Sequence, residues 1–145
     1  MKKNKLRLVF NGLIILLGLG LSNCNSGKEH KLLDRISKLD AENSLVVQIA
    51  ELEINPTQLE AYTEMLQEGI RTSVEKEPGV LSLYAMASEA QPNKITVVEI
   101  YASQEAYESH ISSPHFLKYK NGTLAMVDSL TITRTSPIIF AAKSK

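Results

Sequence analysis

The sequence has no tryptophan and only one cysteine, Cys24, in 145 residues. A lone thiol forms no internal disulfide, so stability has to come from an apolar core. With Cys24 in the leader, the rest of the chain has no cysteine nucleophile. There is no HExxH, no glycine-rich phosphate loop and no dinucleotide fingerprint. Net charge is also missing, with 16 basic residues against 16 acidic ones. Four of the cations, Lys2, Lys3, Lys5 and Arg7, belong to the first residues. Without residues 1–23 the balance is 12 against 16, a net of −4. That argues against a nucleic-acid partner, which needs a basic face. Three histidines are present; His30 lies in a charged leader, while His110 and His115 lie in the body. They and the scattered acids lack the ligand spacing of a metal site.

What is present begins with a leader. The basic n-region is followed by an apolar run from Leu8 to Leu21, shorter than the roughly 20 residues of a spanning helix and built like a secretory signal. It ends in Leu21-Ser22-Asn23-Cys24. Those residues resemble a bacterial lipobox, with Asn23 standing where a smaller residue is usual. Residues 1–23 are therefore expected to be a lipoprotein-type signal peptide and Cys24 a lipidation site. The expected location is the bacterial cell envelope, after export, with the membrane reached through the lipid anchor only. Residues 24–43 read as lipidated cysteine, tether and a short lead-in helix carrying Leu32, Leu33, Ile36 and Leu39 at helical spacing. Residues 44–141 are long enough for one domain.

Within that domain, Leu45 to Ile54 reads as a strand. Asn55-Pro56-Thr57-Gln58 opens a helix with a cap, an N1 proline and a Gln placed for a capping box. Leu59, Tyr62, Leu66, Ile70 and Val74 line its apolar face. Glu77-Pro78-Gly79 stops it. Val80–Ala87 and Ile95–Ala102 form a hairpin about the turn Gln91-Pro92-Asn93-Lys94. Ser103 caps the next helix, whose inner face holds Ala106, Tyr107, His110 and Ile111. Ser113-Pro114 restarts a helix, and Asn121-Gly122 is expected to break or kink it. Leu130 to Phe140 alternates as a last strand. The order β-α-β-β-α-β is that of a ferredoxin-like α+β fold, one antiparallel sheet with helices on one face. The uncovered face calls for a partner, most simply a second copy of the chain.

The residues Glu77-Pro78-Gly79, Glu99-Ile100-Tyr101, Ala106, His110 and Ser113-Pro114-His115-Phe116 resemble the antibiotic biosynthesis monooxygenase (ABM) family, in its quinol-monooxygenase-like branch. The likeness covers roughly Leu45 to Phe140. It implies a dimeric α+β barrel, a homodimer, and a monooxygenase that needs no cofactor and takes a quinol-like or polyphenolic small molecule. Haem-degrading relatives rely on an asparagine and a tryptophan. This chain has no tryptophan and no asparagine within its first strand.

The site residues follow. His110 suits a general base near neutral pH; its other reading is a half-buried histidine bonded to Glu99 or to a backbone carbonyl. Glu99, an acid inside an apolar strand, needs a partner. It would orient His110 or meet a cation such as Arg134. Tyr84, Tyr101, His115 and Phe116 are candidate substrate-binding residues, with packing or capping as the plainer alternative for each. The rival to the oxygenase is a small-molecule-binding or dimeric envelope protein, or an isomerase, of the same fold.

Overall fold

The structure, a computed structural model, describes residues 26–42 and 44–141. The signal-peptide and lipidation expectations fall on residues 1–24, outside the described residues. Helix α1 (Ser26–Ala41) is followed by β1 (Val46–Ile54), α2 (Leu59–Lys76), β2 (Val80–Ala87) and β3 (Lys94–Tyr101). Then come α3 (Gln104–Ile111), α4 (Pro114–Thr123) and β4 (Val127–Thr135). The strands form one four-stranded antiparallel sheet in the order β2-β3-β1-β4. This is the ferredoxin-like α+β arrangement expected from the sequence. Among the described residues, no helix is long and apolar enough to cross a membrane.

Strand alternation sorts the sheet into two faces. Ala50, Leu52 and Ile54 of β1, with Ile95 and Val97 of β3, pack against Tyr62 and Leu66 of α2 to form the main core. Burial of these side chains is the dominant stabilising term. A hydrogen bond of 2.6 Å between the hydroxyls of Tyr62 and Tyr119 ties α2 to α4.

The local signals work with differences of detail. Asn55 caps as expected, its Oδ1 accepting from the Thr57 amide and hydroxyl. Gln58 is not needed to complete a capping box, because the Asn55 amide already donates to the Met126 carbonyl at 2.9 Å. A short 3-10 turn, Pro56–Gln58, precedes α2. Asn121-Gly122 does not break α4, which runs on to Thr123. The last strand starts earlier and ends earlier than the alternation implied, at Thr135. Pro137, without an N–H, cannot extend a ladder.

Both faces of the sheet carry a helix. Ile36 of α1, 3 % exposed, packs on Val47, Leu81 and Ile100, and Phe140 from the C-terminal segment joins them. One-sided coverage is thus corrected. Beyond α1 this second face stays open, with Tyr84 and Met86 more than half exposed.

The turn after α2 fixes the position of the site. Glu77 is extended, as a residue before proline should be. Gly79 lets the chain pass against α3, since a Cβ there would lie 2.5 Å from the Ala106 methyl. The Ala102 amide donates to the Gly79 carbonyl at 2.9 Å, tying this turn to the end of β3.

Candidate active site

Three helix ends converge beside the sheet. Glu77 leaves the C-terminus of α2, His110 occupies the last turn of α3, and His115 lies in the first turn of α4. The break between α3 and α4 is enforced locally: Ser113 caps α4 by accepting from the Phe116 amide, and Pro114 follows at the first helical position. Without that break His110 and His115 would continue around one helix instead of turning to one point.

That point is a single carboxylate oxygen. Glu77 Oε1 lies 2.8 Å from His110 Nδ1 and 2.6 Å from His115 Nε2. Glu77 and His110 are nearly buried and His115 is about one-fifth exposed. Burial alone would raise the Glu77 pKa, but the hydrogen bonds and charge of the two imidazoles outweigh it and hold the carboxyl below its usual value. A carboxylate only accepts, so each imidazole nitrogen facing it donates. In its neutral form His110 therefore carries its proton on Nδ1 and a lone pair on Nε2, an atom that makes no hydrogen bond among the described residues. The ring is held by aromatic neighbours, Phe116 at 4.8 Å and Tyr101 at 5.3 Å between centroids.

A cavity of about 470 Å³ lies between the helices and the core face of the sheet. His110, Glu99, Tyr107 and Phe116 line it, and Leu130 and Ile132 of β4 form its opposite wall. Its size and mostly apolar lining with a few polar groups are those of a small-molecule site.

Glu99 does not orient His110, nor does it meet Arg134. β1 and β3 place it opposite Gln48, and its Oε2 accepts from Gln48 Nε2 at 2.6 Å and from the Tyr101 hydroxyl at 2.8 Å. Arg134 instead lies over the Tyr107 ring at 4.5 Å and donates to Gln104. Glu99 Oε1 has no hydrogen bond among the described residues, and the residue borders the cavity. Tyr101, 1 % exposed, is held protonated by burial and then by the adjacent Glu99 charge, both of which raise its pKa.

Of the six residues expected at the site, His110, Glu99 and Phe116 line one cavity, and Tyr101 touches both His110 and Glu99. His115 reaches Glu77 and stands off the cavity. Tyr84 is elsewhere: it pairs with Val98 on the opposite face of the sheet and is 57 % exposed. Two residues were missed. Glu77 stands 33 positions before His110, and its Glu-Pro-Gly segment, read as a helix stop and as part of the family likeness, gave no sign that the carboxylate itself belongs to the site. Gln48 gave a fainter signal, a polar side chain flanked by Val46, Val47, Ile49 and Ala50, and it is 2 % exposed.

The family profile of antibiotic biosynthesis monooxygenase matches residues 45–122. Among solved structures, the chain is similar to a "putative antibiotic biosynthesis monooxygenase" from Bacteroides thetaiotaomicron. That likeness has 46 % identity over 71 % of this chain and 98 % of that one, with TM-score 0.68. It is also similar to a protein of Mycobacterium tuberculosis, at 26 % identity over 68 % of this chain and 100 % of that one, TM-score 0.61. A "putative monooxygenase" from Lactobacillus acidophilus matches at 26 % identity over 63 % of this chain and 43 % of that one, TM-score 0.62. A comparison with curated proteins found no match. The profile spans more than half of the sequence, and the first of these structures matches over nearly its full length. The chain belongs to the antibiotic biosynthesis monooxygenase family.

Proposed function

We propose that the protein is a cofactor-independent monooxygenase acting on a quinol-like or polyphenolic aromatic, with His110 as its general base. The observation that carries this reading is the Glu77–His110 hydrogen bond, which commits Nδ1 as donor and leaves Nε2 as an acceptor on a residue lining the cavity. Nε2 takes the proton of one phenolic hydroxyl, and the charged Glu77 stabilises the imidazolium that forms. Glu99 Oε1 accepts a second substrate hydroxyl, while Tyr101 and Gln48 hold that carboxylate in place. The resulting phenolate is electron-rich and reacts with dioxygen at a ring carbon. The ring hydroperoxide then loses water: one oxygen atom stays on the ring, and the other leaves with two hydrogens taken from the substrate. The substrate supplies both electrons, so the step balances without a separate reductant.

The same reading includes a homodimer and a lipid anchor. The open part of the second sheet face, with Tyr84 and Met86, is the surface a second copy would cover. The leader composition and Cys24 support attachment to a cell-envelope membrane.

The test is oxygen consumption by the purified protein over a panel of hydroquinones and catechols, beside His110→Ala. The expected loss in kcat is on the order of 10²- to 10⁴-fold, the usual contribution of a positioned base. Equal turnover by the two proteins would remove His110 from the chemistry. Tight binding of the panel without turnover would instead favour a binding protein of the same fold.

A further inference from the structure

We propose that Glu77, His110 and His115 also form a divalent transition-metal site of the zinc class, and that filling it prevents His110 from acting as a base. The second half rests on the general-base reading above; the first half does not.

The donor set points to this class of ion. Two imidazole nitrogens and one carboxylate oxygen suit zinc and its first-row neighbours, whereas magnesium and calcium favour all-oxygen sites. Among the described residues these three side chains are the ones whose ligand atoms come together, all within 4.8 Å of one another. Ligands bound at about 2.0–2.1 Å from one tetrahedral zinc ion sit about 3.3 Å apart. The two oxygen–nitrogen separations, 2.8 and 2.6 Å, need to open by less than an ångström to reach that. The nitrogens must draw toward each other, and His115, the most exposed of the three side chains, has the freedom to turn. Three protein ligands leave a fourth position for water. Ser113 Oγ, 3.1 Å from His115 Nε2, stands where it can hold that water.

The site also lies behind His110. His110 borders the large cavity, but Glu77 and His115 do not. An ion there would therefore act on the reaction through the imidazole and not by touching substrate. Coordination occupies the Nδ1 lone pair, and the neutral ring then carries its hydrogen on Nε2. The nitrogen left for the cavity becomes a donor. One histidine thus has two exclusive states, a base when Glu77 holds its proton and a hydrogen-bond donor when a metal holds its Nδ1.

Calorimetric titration of the untagged, EDTA-stripped protein with zinc chloride tests the site. One ion per chain is expected, at micromolar affinity or tighter. His115→Ala and Glu77→Gln, each checked for folding by circular dichroism, should weaken binding by about 100-fold or more, beyond the 10- to 100-fold typical of losing only an outer-shell partner. Titration with cobalt chloride gives a second readout, since its visible absorption reports nitrogen and oxygen ligation. Absence of binding, or binding equally tight in both variants, would overturn the site. Quinol-dependent oxygen uptake should fall in step with zinc occupancy and return with EDTA. Turnover unchanged at saturating zinc would overturn the exclusivity. Zinc binding by a protein inactive even when stripped would leave the site standing and sink the general-base reading.

Discussion

At the residue scale, the chemistry turns on one oxygen atom. Glu77 Oε1 serves two imidazoles, and its charge decides which nitrogen of His110 is free. Glu77→Gln tests this without changing size. The amide can still accept from one ring, but it offers no charge to an imidazolium. The expected result is a kcat lower by about 10- to 100-fold with KM little changed, because the loss falls on the charged transition state. A KM effect with kcat intact would mean that Glu77 affects only how substrate binds, through the placement of His110. The buried network should also lose about 1–3 kcal/mol of folding stability, the cost of leaving polar partners unsatisfied, measurable by urea unfolding. Glu99 illustrates the same economy of partners. Its Oε2 is fully used by Gln48 and Tyr101, so only Oε1 remains for a ligand.

At the element scale, the site depends on how closely α3 approaches the turn after α2. Gly79→Ala would drive a methyl group into Ala106, with only 2.5 Å between the two Cβ atoms. Overpacking of this kind costs about 1–3 kcal/mol. The variant should therefore melt lower, and it should lose activity as well, because the displaced α3 carries His110. A Gly79→Ala protein with unchanged melting and turnover would show that the approach is looser than described. The elements themselves were largely legible in the sequence. Asn55-Pro56, Ser103 and Ser113-Pro114 announce helix starts by their own chemistry, and each acts as a cap in the structure. The pairing of Glu77 with the histidines was not legible. Residues 33 and 38 positions apart meet only because three helix ends converge, and no periodicity encodes that. Alternation in β2 separated two faces but not which one would meet α2, α3 and α4, so Tyr84 was expected in a pocket it does not touch. In β3 the acid at 99 was rightly expected to need a partner, and the half-buried carboxylate has two, yet they came from strand register, with Gln48 directly opposite.

At the scale of the whole molecule, stability without disulfides rests on a small core that includes phenolic hydroxyls. Tyr62, Tyr101 and Tyr119 all have pKa values raised above the usual 10, in each case first by burial. For Tyr62 the nearby Tyr119 adds to the shift, and for Tyr101 the Glu99 carboxylate does. These groups stay protonated in the folded protein at pH values where the unfolded chain ionises. Below pH 10 both states hold the protons and the stability is complete. Above it, only the unfolded state releases them, so stability falls as pH rises, by at most about 1.4 kcal/mol per tyrosine per pH unit. Urea unfolding at pH 8, 10 and 11 should show a plateau followed by a decline. Tyr101→Phe removes one of the three protons involved and should flatten that decline by about a third, whatever it does to stability at pH 8. A curve level to pH 11, or a decline as steep in Tyr101→Phe, would mean that these hydroxyls ionise in place and that the interior between sheet and helices is open to water.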